Sequence, residues 1–220
     1  MIKENKIAAV IFDMDGLMFD TESLFSIVQT DIALKHGKVF TLEIQNKMMG
    51  RKPLDAIKVM LEELGIDADP VIVAQERDGK YLELLKIQSQ PMPGLFEFLD
   101  FLDKHGIRKA IASGSHHEWI DALLGRFNIK DRFEVIVSGQ DVAVAKPSPD
   151  IYLKAVKDLK LSPGECLVLE DAVNGIRAGK SAGCIAVAIP NHFTKHQDFS
   201  EADHVVKSLA DPALAKIVLK

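Results

Sequence analysis

Acidic, hydroxyl and amine side chains follow four of the apolar segments of this chain. They comprise two pairs of carboxylates, one serine and one lysine: Asp13, Asp15, Ser113, Lys146, Glu170 and Asp171. Because parallel strands present their carboxyl ends at one edge of a sheet, residues that end such strands converge on one crevice. Taken singly, Lys146 fits an exposed loop residue and Asp171 fits a helix cap. Taken together, these side chains predict a single site.

The chemistry that this set favours is phosphoryl transfer. Clustered carboxylates stay ionised only when a cation joins them, and oxygen ligands suit Mg²⁺. We expect Asp13 to attack phosphorus, and we expect Asp15 to protonate the leaving oxygen and then to deprotonate the incoming water. Lys146, Ser113 and the backbone amides after Ser113 would hold the remaining phosphoryl oxygens.

The elements that must position these residues alternate between two periodicities. Short runs rich in valine and isoleucine are separated by helical patterns such as Leu95–His105 and Ile151–Leu159, which is the signature of a parallel sheet covered on both faces. The runs are Ile7–Phe12, Lys109–Ala112, Phe133–Val137, Leu167–Leu169 and Ile185–Ile189. The sequence therefore predicts an α/β fold.

The stretch between the first two apolar runs is far longer than a crossover helix requires. Three helical patterns occupy it, and the first two of them end at glycine: Thr21–Gly37, Pro53–Gly65 and the weaker Asp69–Gln88. We expect residues 18–89 to form a small all-helical cap. Residues 1–17 and 90–220 would form the catalytic core.

Composition limits the partners and the compartment. The formal net charge of −5 provides no basic field that would attract nucleic acid or an anionic membrane. Cys166 and Cys184 lie in or beside apolar runs, which suits packing in a reducing compartment. The apolar run at the N-terminus is too short for a signal peptide or a membrane span. We expect a cytoplasmic monomer that acts on a small molecule.

Four ordered motifs of the chain resemble those of the haloacid dehalogenase superfamily. They are Phe12–Leu17 with Asp20–Glu22, then Ser113, then Lys146–Asp150, and last Glu170–Gly175. The closest resemblance is to the β-phosphoglucomutase-like and pseudouridine-5′-phosphatase-like branch, and it covers nearly the whole chain. It implies a Rossmann-like core in which the first strand lies between the second and the fourth, with an inserted helical cap.

The resemblance also implies roles that agree with the chemical interpretation. Asp13 would be the nucleophile and Asp15 the general acid and base, while Ser113 and Lys146 would contact phosphate. Mg²⁺ would be held by Asp13, by the main-chain carbonyl of Asp15 and by Asp171, with Glu170 nearby. Dehalogenation is disfavoured because dehalogenases of this superfamily lack the second aspartate.

The residues that would contact the substrate bear on which phosphorylated compound the protein uses. The candidate substrate contacts are Gly50, Arg51, Lys52, Gly114, Ser115 and His117. Gly50–Lys52 is similar to pseudouridine-5′-phosphatase-like members, whereas β-phosphoglucomutases carry arginine at the position of Pro53 and asparagine at that of His117. We therefore expect hydrolysis of a sugar phosphate or a nucleotide-like metabolite, with a β-phosphoglucomutase-type sugar phosphomutase as the alternative.

Other interpretations of the same residues stay open. Ser115 with Glu118 also fits a helix capping box, and His117 also fits an exposed residue on the first turn of a helix. A signalling receiver domain likewise takes phosphate on an aspartate, but receivers are short and uncapped, so the long insertion disfavours that function.

Overall fold

A computed structural model of the chain describes residues 6–48 and 53–219. The chain divides into two compact units. The core unit comprises the chain up to Asp20 and from Gln90 onward, and the helical unit comprises Thr21–Ser89. Within the described ranges, no helix is long and apolar enough to cross a lipid bilayer.

The helical unit contains α1 (Glu22–Lys35), α2 (Leu42–Met48), α3 (Pro53–Leu64) and α4 (Pro70–Gln88). The three helical patterns predicted here are confirmed, and α2 is an addition to them. Glycines follow α1 and α3 with positive φ angles, 67° at Gly37 and 61° at Gly65, a conformation that glycine adopts without a Cβ penalty. The Asp69 carboxylate caps α4 by accepting a hydrogen bond from the Val71 amide at 2.7 Å.

In the described part of the core unit, six parallel strands form one sheet in the order β3-β2-β1-β4-β5-β6. The strands are β1 (Ala9–Phe12), β2 (Arg108–Ser113), β3 (Val135–Ser138), β4 (Cys166–Glu170), β5 (Ile185–Ala188) and β6 (His204–Val205). The α/β fold is confirmed, and β1 lies between β2 and β4 as the resemblance implied. Only β6 was not predicted, because two exposed residues carry no apolar run.

Helices cover the sheet on both faces, so β1 and β4 are buried along their whole length. These helices are α5 (Leu95–Lys104), α6 (His117–Arg126), α7 (Asp150–Asp158), α8 (Val173–Ser181) and α9 (Pro212–Val218). The apolar side chains of α5 lie on one buried face at the predicted spacing of Leu95, Phe98, Leu99 and Leu102.

Strand register sets which residues meet at the carboxyl edge of the sheet. Phe12, the last residue of β1, pairs with Ile111 on one side and with Leu169 on the other. The Asp13 amide continues this ladder by donating to the Leu169 carbonyl oxygen at 3.0 Å. The residues that follow these three positions therefore lie around one crevice.

Candidate active site

A tight turn after β1 places the first two acidic residues. The Gly16 amide donates to the Phe19 carbonyl oxygen at 2.9 Å, and the φ angle of Gly16 is 75°. The turn carries Asp15 toward the end of β2, where its Oδ2 accepts hydrogen bonds from Ser113 Oγ at 3.0 Å and from Ser115 Oγ at 2.6 Å. Asp13 stays at the end of β1, and its residue surface is 7% exposed.

Lys146 is a largely buried counter-ion and not an exposed loop residue, since its side chain is 15% exposed. Its ammonium donates to Asp13 Oδ1 and to Glu170 Oε1, each at 2.6 Å, and to the Ala112 carbonyl oxygen at 3.0 Å. These contacts match the three donors that an ammonium has. Burial alone would lower the pKa of Lys146, but the carboxylates of Asp13 and Glu170 raise it well above its ordinary value.

Glu170 is held from a second direction by a tyrosine. The Tyr152 hydroxyl donates to Glu170 Oε1 at 2.5 Å, and the Lys146 ammonium lies 4.9 Å from the centre of the Tyr152 ring. A Cβ atom at Gly175 would lie 1.8 Å from the Glu170 carboxylate, so the start of α8 can approach this side chain only at a glycine. Sequence reasoning missed Tyr152, although its place in the first turn of the helix after Lys146 could have indicated it.

The site contains more carboxylate groups than positively charged groups beside them. Oxygen atoms of Asp13, Glu170 and Asp171 all lie within 4.8 Å of one another, and all three residues are buried. Burial raises the pKa of Asp13 to about 8; Lys146 opposes this increase, whereas Glu170 and Asp15 add to it. Because one ammonium cannot balance three carboxylates, the group fits a hard divalent cation with oxygen ligands.

Asp171 contacts an asparagine that sequence reasoning also missed. The Asn191 Nδ2 group donates to Asp171 Oδ2 at 2.7 Å and to the Gly16 carbonyl oxygen at 3.0 Å. The alternative of a helix cap is wrong, because the N-cap of α8 is Ala172 and no side chain caps it. Asn191 follows β5 closely, so the strand-end rule that indicated the other residues could have found it.

Ser115 is likewise not a helix cap. The N-cap of α6 is His116, which makes no side-chain capping bond, and the Ser115 hydroxyl is used on Asp15 instead. The Ser115 amide donates to Ser113 Oγ at 3.0 Å, so the two serines form one support for the Asp15 carboxylate. The other carboxylate oxygen, Asp15 Oδ1, is buried and has no hydrogen-bond partner among the described residues.

The turn after β3 supports the loop that carries these serines. Ser138 Oγ donates to the Ser115 carbonyl oxygen at 2.6 Å. A Cβ atom at Gly139 would lie 2.5 Å from the Gly114 carbonyl oxygen, so the two loops pack backbone against backbone. Gly114 thus lies between the two serines and against this second loop.

The remaining predicted substrate contacts are outside this group. The His117 imidazole is half exposed and lies 2.9 Å from Asp141 Oδ1, and its main-chain amide donates to Gln140 Oε1 at 3.0 Å. Gly50, Arg51 and Lys52 lie outside the described residues. The structure therefore brings together Asp13, Asp15, Ser113, Ser115, Lys146, Glu170 and Asp171, with Gly114 beside them.

Comparison with known proteins agrees with this geometry. The haloacid dehalogenase-like hydrolase family matches residues 7–183. The chain therefore belongs to the haloacid dehalogenase-like hydrolases, which confirms the resemblance of its motifs.

Individual relatives match over almost the same length. YhcW of Bacillus subtilis (strain 168) is 34% identical over 216 residues, which cover 96% of each chain. (DL)-Glycerol-3-phosphatase 2 of Arabidopsis thaliana is 36% identical over 219 residues, covering 93% of this chain and 88% of the relative. The crystal structure of CbbY from Rhodobacter sphaeroides in complex with phosphate is 28% identical, with a TM-score of 0.83 over 93% of this chain and 95% of that one.

Proposed function

We propose that the protein is a magnesium-dependent phosphatase that transfers a phosphoryl group from a small metabolite to Asp13 and then to water. The observation that carries this proposal is the buried Asp13 carboxylate, which lies 2.6 Å from the Lys146 ammonium and in one group with Glu170 and Asp171. Membership of a hydrolase family supports the proposal. So does the similarity to a glycerol-3-phosphatase and to a protein crystallised with phosphate.

In the first step an Asp13 oxygen bonds to phosphorus while the ester P–O bond breaks. Asp15 gives its proton to the leaving alcohol oxygen. In the second step Asp15 takes a proton from water, the water oxygen bonds to phosphorus, and the bond between Asp13 and phosphorus breaks. Ser113 and Ser115 hold Asp15 in place, because both hydroxyls bind the same carboxylate oxygen.

Positive charge and oriented donors lower the barrier for both steps. Lys146 binds the nucleophile directly. We propose that Lys146, Ser113 and the Gly114 amide contact the phosphoryl oxygens. When bound, Mg²⁺ would neutralise charge on the phosphoryl group, and Asp13, Asp171 and the Asp15 carbonyl would hold it beside Glu170.

The first test is hydrolysis of p-nitrophenyl phosphate. We expect phosphate release that EDTA abolishes, that Mg²⁺ restores and that Asp13→Asn eliminates. Asp131→Asn is the matched control, since Asp131 is exposed and precedes β3, which places it at the amino edge of the sheet and not at the carboxyl edge. Activity that persists in EDTA or in Asp13→Asn would contradict the proposal. Strong dependence on a sugar bisphosphate with little phosphate release would instead indicate a sugar phosphomutase.

The proposed substrate is a sugar phosphate or a nucleotide-like metabolite, selected by residues 18–89 acting as a cap. Gly50, Arg51 and Lys52, together with Ser115 and His117, are the proposed contacts to the substrate beyond its phosphoryl group. Arg51→Ala should raise KM for the best substrate in a panel of phosphorylated metabolites, while kcat/KM for p-nitrophenyl phosphate stays unchanged. Lys38→Ala, also in the helical unit, should change neither value. Equal effects on both substrates would argue against recognition by Arg51.

We further propose that the enzyme works as a cytoplasmic monomer without nucleic-acid partners. One observation supports a reducing compartment: both cysteines are free and buried. Burial raises the pKa of Cys166 to about 11 and of Cys184 to about 12, which makes both thiols unreactive. Sedimentation equilibrium should give the mass of one chain, 24.3 kDa. A concentration-dependent dimer would overturn this part of the proposal.

A further inference from the structure

Asn191 connects two loops of the candidate site with one carboxamide group. Its Nδ2 donates to Asp171 Oδ2 at 2.7 Å and to the Gly16 carbonyl oxygen at 3.0 Å. A carboxamide nitrogen has two hydrogens, so these contacts use both of them. One hydrogen therefore holds the carboxylate at the end of β4, and the other holds the turn that follows Asp13.

The opposite end of the carboxamide is fixed in its own turn. Asn191 Oδ1 accepts from the Phe193 amide at 2.7 Å and from the Thr194 amide at 3.1 Å. The buried Thr194 hydroxyl also lies 3.3 Å from Oδ1 and accepts from the Asn191 amide at 3.0 Å. If the carboxamide were flipped, its oxygen would face the Asp171 carboxylate, so that two acceptors would meet. Its NH₂ group would face the Phe193 and Thr194 amides, so that donors would meet donors. The network therefore permits one orientation.

Close packing adds to this constraint. A Cβ atom at Gly16 would lie 2.5 Å from Asn191 Nδ2 and 2.6 Å from Asp171 Oδ2. Both distances are shorter than real Cβ contacts, so position 16 accepts no side chain while Asn191 and Asp171 keep these places. The turn, the carboxamide and the carboxylate thus depend on one another.

We propose that Asn191 is a positioning residue that orients the Asp171 carboxylate toward the divalent cation, an inference that rests on the proposed function. The hydrogen bond from Asn191 restricts rotation of the Asp171 carboxylate, which places one oxygen within 4.8 Å of ligand atoms of Asp13 and Glu170. Asn191 makes this contact through a neutral amide group, whereas Lys146 brings a positive charge to Asp13 and Glu170.

Metal affinity in the absence of substrate is the direct test. Isothermal titration with Mg²⁺ would compare the wild type with Asn191→Ala and Asn191→Ser. Serine can retain the turn through its hydroxyl but is too short to reach Asp171. We expect the Kd for Mg²⁺ to rise about 10- to 100-fold in both variants, as is typical when a partner of a metal ligand is removed. Asn128→Gly, at an exposed asparagine after α6 whose φ angle of 53° suits glycine, is the matched control and should leave Kd unchanged.

Further measurements separate positioning from a merely structural role. Asn191→Ser should unfold in urea with EDTA near the wild-type midpoint while its Mg²⁺ affinity is lowered, and kcat at saturating Mg²⁺ should fall less than the affinity does. Thr194→Val removes the hydroxyl that contacts Asn191. It should also raise the Kd for Mg²⁺, but by a smaller factor than Asn191→Ser does. An unchanged Kd in Asn191→Ser would overturn this inference and leave the proposed function intact. A wild-type protein that binds no Mg²⁺ would overturn the proposed function itself.

Discussion

In the metal-free protein, Asp13→Asn should remove a decrease in the free energy of unfolding that the wild type shows as the pH rises. Burial raises the pKa of Asp13 from 3.8 to about 8, because a carboxylate without bulk water and beside two other acids is poorly compensated by one lysine. The unfolded chain exposes the same carboxyl group to water, so its pKa there is the ordinary one. Asparagine has nearly the same shape and does not titrate.

The sign of the effect follows from proton binding. Between pH 3.8 and about 8 the folded protein holds a proton on Asp13 that the unfolded chain has lost. The free energy of unfolding therefore falls as the pH rises through this window, by about 1.4 kcal/mol per pH unit for one proton. From pH 5 to pH 7 this amounts to a loss of about 2–3 kcal/mol in the wild type that Asp13→Asn does not share. Above pH 8 the difference between the two proteins should level off.

Urea unfolding with EDTA at pH 5, 6, 7 and 8 measures this difference directly. Subtracting the two free energies cancels the groups that titrate alike in both proteins and leaves the contribution of Asp13 together with its interactions with Lys146, Glu170 and Asp15. Asp131→Asn, an exposed control, should track the wild type at every pH. If the free-energy difference between the wild type and Asp13→Asn is the same at pH 5 and pH 7, the reasoning about buried charge at this site is wrong.

Three further outcomes follow from the same geometry. Because Mg²⁺ displaces the proton of Asp13, the association constant of Mg²⁺ for the protein should rise up to about tenfold per pH unit from pH 5 to pH 8. Calorimetry in buffers of different ionisation enthalpy should detect the proton that is released on binding. Gly16→Ala should lose Mg²⁺ binding and about 1–3 kcal/mol of stability in urea, since the new Cβ would collide with Asp171 at a φ of 75°. Tyr152→Phe should lower stability by about 1–3 kcal/mol, because Glu170 loses a buried donor.

Each of these outcomes has a contradicting result. A Mg²⁺ affinity that stays flat between pH 5 and pH 8 would show that no proton competes with the metal. Wild-type Mg²⁺ binding by Gly16→Ala would mean that the turn can shift at no cost to Asp171. A Tyr152→Phe protein with an unchanged urea midpoint would show that Glu170 keeps its other partners without loss.

The sequence was informative where apolar runs end in polar residues. The continuous runs of Ile7–Phe12 and Leu167–Leu169 predicted buried parallel strands, and the strand-end rule then grouped Asp13 with Glu170 and Asp171, which lie within 4.8 Å of one another. The rule works because a parallel sheet has one carboxyl edge, so nearness in space follows from strand order. Amphipathic spacing predicted α5 and α7 for the same kind of reason.

What the sequence did not predict depends on long-range geometry. Ser115 and Asp171 have the residue types of helix caps, and no local pattern shows that their oxygens are used on Asp15 and Asn191 instead. Asn191 lies 175 residues from Gly16, so their hydrogen bond requires the folded sheet. The position of Tyr152 in the first turn after Lys146 places it near the site, but its helical, apolar context does not show that its hydroxyl contacts Glu170. The short elements α2 and β6 lack the length that periodicity needs.

The most direct test of the whole account is chemical trapping of the phosphorylated enzyme. Wild-type protein, Mg²⁺ and a good substrate would be mixed, quenched in acid within milliseconds and reduced with borohydride, which converts an aspartyl phosphate to homoserine; peptide mass analysis then locates the change. Asp13 should be converted during turnover, and neither omission of substrate nor Asp13→Asn should give the product. Rapid hydrolysis with no modification at residue 13, or modification at another carboxylate, would contradict the assignment of Asp13 as the nucleophile.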